Sequence, residues 1–207
     1  MSGIPAGRGG SGRAWIRWAA LGMIVGGAAM FLLHTGGFAA TSVAGYFMAV
    51  GPGIGIAQLL LTAGAVGLWS DHSFGGGALA RTGLGLAIVG LAVLAISNLV
   101  RPFGDLWYFA AAASVLAPLG FILAGVAELR NHAWTGWERF VPLGVGILPI
   151  VIVYPGLALG GSSAVGEFLV GVWGLAFVVL GWAELREPPL EPIRIRDHVS
   201  TRRPKNR

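Results

Sequence analysis

Gly83-Leu-Gly-Leu-Ala-Ile-Val-Gly-Leu-Ala-Val-Leu-Ala-Ile-Ser-Asn-Leu-Val100 runs for 18 residues without a charge, and Ser97 and Asn98 are its only polar side chains. A helix rises about 1.5 Å per residue, so roughly 20 apolar residues cross a hydrocarbon core of about 30 Å. Arg81 precedes the run and Arg101 follows it, each where a basic side chain meets the headgroups. Outward from this stretch, five more of the same kind lie at about 14–33, 44–69, 106–127, 140–159 and 164–183. The expected fold is all-α, a six-helix transmembrane bundle over residues 14–185. A Gly- and Ser-rich tail, 1–13, is expected to be disordered, and a basic tail, 186–207, is kept extended by Pro188, Pro189 and Pro192.

Composition supports the same class. Hydrophobic residues make up 55% and charged ones 11%, with a mean hydropathy of +0.75. A soluble domain carries about 25% charged residues. Only nine of the 23 charges lie between Trp18 and Ala183. That excludes a soluble globule, a disordered chain and a nucleic-acid-binding domain, despite a pI near 10.7. With the N-terminus inside, 13 basic residues fall on the cytoplasmic side and Arg101 alone falls outside. The positive-inside rule then places both termini in the cytoplasm. Trp15, Trp18, Trp69, Trp134, Trp137 and Trp182 fall at inner helix ends, Trp107 at an outer end and Trp173 in mid-helix. Thirteen of the 14 basic residues are Arg, a bias of GC-rich bacterial genomes, so the expected location is a bacterial cytoplasmic membrane.

The second span has two readings. Residues 41–50 are apolar but too short to cross alone, and Gly51-Pro52-Gly53 follows. Either one long helix kinks or breaks at Pro52, or an interfacial segment leads into a helix with Pro in its first turn. One long helix, kinked or broken at Pro52, is the reading adopted. The first span resembles a signal peptide in its flanks, but its apolar run is long for one.

The odd spans open alike, with a basic residue ahead of a Leu-Gly pair: Arg17 before Leu21-Gly22, Arg81 before Leu84-Gly85 and Arg139 before Leu143-Gly144. The pairs recur after 63 and then 59 residues. Gly125-Val-Ala-Glu128-Leu-Arg130 and Gly181-Trp-Ala-Glu184-Leu-Arg186 close even spans alike, and Gly67-Leu-Trp-Ser-Asp71-His72 reads as a diverged third copy. Three tandem helix hairpins follow from this parse; the alternative is that every such helix merely starts and ends on a basic anchor. Three hairpins in about 200 residues resemble the HdeD-type membrane proteins, linked to bacterial acid resistance. The Glu128-to-Trp137 stretch and Leu180-to-Arg186 resemble uncharacterised six-span proteins of actinobacteria. Neither resemblance implies a catalytic residue.

Ionisable groups inside a span are costly and are the first place to look for function. His34, Arg101, Asp105 and Glu167 are expected to form one outer-face cluster, joined by Tyr46, Tyr108 or Tyr154. It reads either as a proton or cation site or as an ion pair at the headgroup level. Gln58 and Thr62, four residues apart, share a face of the second span and either line a path or bond a neighbouring helix. Pro118, Pro149 and Pro155 are expected to kink spans four and five. Gly22-x-x-x-Gly26 and Gly51-x-x-x-Gly55 fit close helix contacts.

Most enzyme chemistries lack their residues. The chain has no cysteine, its four histidines are never paired at helical spacing, and its only lysine is Lys205. Gly160-Gly-Ser162-Ser163 has no histidine in a later span to activate either serine. No catalytic residue, cofactor or metal is expected. The leading expectation is a non-enzymatic, stress-response or accessory membrane protein; the alternative is a small permease or channel with a polar site at the outer face. The expected partners are the lipid bilayer and either another membrane protein or further copies of this chain, and not nucleic acid.

Overall fold

Ser42 starts the longest helix: its Oγ accepts from the Gly45 N–H at 3.2 Å, satisfying one of the donors a helix start leaves open. The computed structural model describes residues 11–39, 42–104, 106–160 and 164–186. It contains α1 (Ser11–Thr35), α2 (Val43–Ser70), α3 (Ala78–Val100) and α4 (Trp107–Asn131). The fifth span is composite. It is α5 (Val141–Leu148), one π-helical turn (Pro149–Val153) and α6 (Tyr154–Gly160) in succession. The sixth is α7 (Ala164–Arg186). Six helical stretches are long and apolar enough to cross a membrane.

The expected break at Pro52 is absent. α2 runs through it as one 28-residue helix. Proline removes a single hydrogen bond, whereas opening the helix in lipid would strand several backbone groups. The proline-rich fifth span yields instead, by a π turn that begins at Pro149.

Successive helices are neighbours, and α7 packs along α1, so the six spans close into a ring. Lipid tails are as apolar as leucine, so close packing rather than water exclusion draws such helices together. Glycines make the closest seams. A Cβ on Gly174 would stand 2.6 Å from the Gly27 carbonyl oxygen, and the reverse approach is tighter still. Gly26 meets Ala57 across the α1–α2 seam, and Gly55 meets Ala95 across α2–α3. Both glycine pairs singled out from the sequence therefore serve contacts inside the bundle. Phe121 of α4 and Phe177 of α7, both fully buried, meet edge to face at 5.4 Å within the ring. The fifth span is the least enclosed: 28% of its 18-residue apolar stretch is buried, against 33–44% in the others.

Two connections at one end are built alike. His72 and His132 adopt left-handed backbone conformations, with φ of 56° and 51°, and each is followed two residues later by a buried aromatic. These aromatics, Phe74 and Trp134, meet edge to face at 5.0 Å, and Asn131 Nδ2 donates to the Phe74 carbonyl at 2.7 Å. Trp134 is thus a packing residue rather than part of the aromatic belt. The shared register of His72 and His132 also sets Leu68, not Ser70, at the place Glu128 occupies in the later connection. Arg17, Arg81, Arg130, Arg139 and Arg186 gather at this end, here called the basic end. Arg101 lies at the far end.

Candidate polar sites

At the far end, α1 closes on His34 and α7 opens near Glu167. The His34 ring is buried, and its Nδ1 lies 2.8 Å from the Met30 carbonyl. A carbonyl only accepts, so Nδ1 carries a hydrogen, and Nε2 faces α7. Glu167 Oε2 stands 3.9 Å from that nitrogen, beyond hydrogen-bond reach. Phe47 of α2 covers the ring at 5.4 Å. Arg101 is exposed at the same end, its side chain lying against Gly51. The structure thus brings three of the four expected cluster residues to one end. Asp105 lies outside the described residues. The tyrosines do not join them: Tyr46 donates to the Leu33 carbonyl at 2.8 Å, and Tyr108 is exposed.

Gln58 and Thr62 do share a stretch of α2, but their polar groups diverge. Thr62 Oγ1 donates back to the Gln58 carbonyl at 2.8 Å. Gln58, buried, accepts through Oε1 from Asn98 Nδ2 of α3 at 3.0 Å. Of the two readings of the pair, Gln58 follows the bond to a neighbouring helix, while Thr62 bonds its own backbone.

The fifth span holds what the sequence reading missed. Pro149 has no N–H, so the Val145 carbonyl four residues back loses its helical donor. Trp173 Nε1 of α7 donates to that oxygen at 2.9 Å, in a buried site. Pro118 likewise deprives the Ser114 carbonyl in α4, and the Tyr154 hydroxyl donates to it. Each orphaned acceptor is satisfied by an aromatic donor from an adjacent helix, and the two bonds hold the fifth span to its two neighbours. The signal was present in the sequence: a proline names the acceptor it orphans, and Trp173 was the one tryptophan placed in mid-span.

At the basic end the two Glu-Leu-Arg copies do the same work. Glu128 is fully buried and accepts the Trp134 N–H at 2.6 Å; Glu184 accepts the Ser73 hydroxyl at 3.0 Å. Their arginines, Arg130 and Arg186, point outward. Arg186 pairs with Glu138 at 3.6 Å and lies 4.4 Å over the Trp182 ring, which stacks on Trp137 at 5.7 Å. Arg81 Nη2 donates to His72 Nε2 at 3.3 Å. A crevice between α1, α2 and the end of α7, lined by Ala19, Met23, Gly64 and Glu184 among others, is too narrow to admit water. Among the described residues no three His, Asp or Glu side chains converge as metal ligands would.

No family model, curated protein or solved structure matches this chain. Its class therefore rests on its own helices. Six membrane-length apolar spans in a closed ring make it a multi-pass membrane protein.

Proposed function

We propose that the chain is an accessory protein of a bacterial cytoplasmic membrane, with both termini cytoplasmic, acting through helix packing and contacts with membrane partners rather than by catalysis. The observation that carries this reading is the use made of its mid-span polar groups. Trp173, Tyr154 and Asn98 all donate across helix seams. These groups stabilise a fixed bundle, where a transporter would keep some of them for a passing solute. The stress-response role suggested by the resemblance to three-hairpin proteins fits the same picture. A second reading, a small permease or channel, rests on the 3.9 Å gap between His34 and Glu167.

The absence of native cysteine makes the test direct. Single cysteines at Gln58 and His34 are exposed to a charged, membrane-impermeant thiol reagent in reconstituted vesicles. The packing reading expects neither to react; labelling of Gln58→Cys would establish a water path and favour the permease. In whole cells, Phe103→Cys should label from outside and Trp137→Cys only after permeabilisation. The reverse pattern would overturn the orientation.

A further inference from the structure

The far end of the α1–α7 seam is drawn close at a glycine. A Cβ on Gly171 would stand 3.1 Å from the His34 Cβ and 3.3 Å from the Phe31 carbonyl oxygen, so the two helices are already near contact there. Yet Glu167 Oε2, one turn before Gly171, stops 3.9 Å short of His34 Nε2. The bonds that Tyr46 and Trp173 make across other seams span 2.8 and 2.9 Å. The imidazole is fixed, with Nδ1 bonded to the Met30 carbonyl and Phe47 covering the ring. The carboxylate is the freer partner, its side chain 22% exposed against 6% for His34.

Because Nδ1 holds its hydrogen on the Met30 carbonyl, the ring gains or loses a proton at Nε2. Without that proton, lone pairs face each other across the seam, and an ionised Glu167 is left unpaired within a span, where a charge is costly. With it, Nε2–H meets the carboxylate, and a movement of Glu167 by about 1 Å closes the pair to a charge-assisted bond of about 2.8 Å. The elements around His34 bring no rival for that proton. The one titratable side chain of α2 is Tyr46, which donates to the Leu33 carbonyl, and the turn over Gly36–Ala39 carries none. Arg13 and Arg17 of α1, and Glu184 and Arg186 of α7, belong to the opposite ends of their helices. Arg101, at the end of α3, is exposed to water that screens its charge. We propose that His34 and Glu167 form a proton-binding latch: one proton, taken from the aqueous phase at the far end onto the Nε2 lone pair, bridges the two side chains and fastens the last turn of α1 to the first turn of α7. The latch rests on the seam and on neither functional reading above, so the cysteine labelling can come out either way without deciding it.

The test follows the His34 ring by nitrogen-15 NMR of the full chain in nanodiscs. His72→Asn, His132→Asn and His198→Gln together leave His34 as the sole histidine, and asparagine suits the left-handed backbone of the first two. If that background does not fold, His34 is assigned in wild type as the signal lost in His34→Gln. As the pH is lowered from about 9 to about 4, across the histidine and carboxylate ranges, Nε2 should gain a proton in one step while Nδ1 keeps its hydrogen throughout. Glu167→Gln should bind that proton about tenfold more weakly, the smaller end of what removing an opposite charge at this distance does. Arg81→Gln, at the basic end, should leave it unchanged. Thermal unfolding in detergent reads the fastening: the advantage of Glu167 over Glu167→Gln should be present once the proton is bound and be lost as the pH rises past the step. If Glu167→Gln does not fold, Glu167→Asp, which withdraws the carboxylate by one methylene, takes its place and should show a smaller loss. An Nε2 that keeps one protonation state over the whole range, a step that the Glu167 variant leaves unmoved, or a stability difference that does not follow the step overturns the latch.

Discussion

Trp173 Nε1 donates at 2.9 Å to the carbonyl of Val145, the acceptor that Pro149 leaves without a helical partner. Removing only the N–H, in Trp173→Phe, strands a buried carbonyl and should cost about 1–3 kcal/mol of stability in detergent. Pro149→Ala restores a backbone donor to the same oxygen, so the cost of Trp173→Phe should shrink sharply in that background. Equal costs in both backgrounds would show that the bond is incidental.

Tyr154 and Pro118 form the matching pair through the Ser114 carbonyl. Tyr154→Phe should destabilise, and Pro118→Ala should relieve it. Because the two bonds bind the fifth span to different neighbours, the losses in Trp173→Phe and Tyr154→Phe should be close to additive. Urea or SDS unfolding followed by far-UV circular dichroism measures both.

The glycines divide by what surrounds them. Gly27→Ala and Gly174→Ala push a methyl into the facing backbone and should open the α1–α7 seam. A methyl added at Gly85 or Gly144 would meet no described atom within 4 Å outside its own stretch of helix, and alanine there should be neutral or stabilise by up to about 1 kcal/mol through helix propensity. A loss of stability at Gly85 comparable to that at Gly27 would contradict the seam assignment.

The spans were legible because apolar runs and basic flanks are local properties of a chain. The glycine motifs were legible for the same reason, though their partners were not. Gln58 and Thr62 show the limit: helical spacing set them on one stretch, yet Asn98, 40 residues away, decides what Gln58 does. Trp173 is 28 residues from its acceptor. Glu167 stood out by its place in a span, whereas among the described residues the acidic side chain buried completely is Glu128, which the sequence offered only as part of a repeated helix end.

The Gln58–Asn98 bond should show a coupling of about 0.6 kcal/mol in a double-mutant cycle with leucine at either position, the usual size for such bonds in membranes. A coupling indistinguishable from zero would leave Gln58 free for another role.

Glu128→Gln keeps an oxygen for the Trp134 N–H at 2.6 Å and should be tolerated far better than Glu128→Leu, which leaves that donor buried and unsatisfied. Similar thermal stabilities for the two variants would remove Glu128 from the account of the connection.

The seam between α1 and α7 joins the first of the six described spans to the last. Until α7 is inserted, the glycine face of α1 waits against lipid, and the ring stays open through the synthesis of four intervening spans. Closure of the ring therefore requires α7 to be in place. The same adjacency brings the start of α1 and the end of α7 together at one membrane surface. A circular permutant, with those ends linked and a new break between α3 and α4, should preserve all six seams while changing which helix must wait.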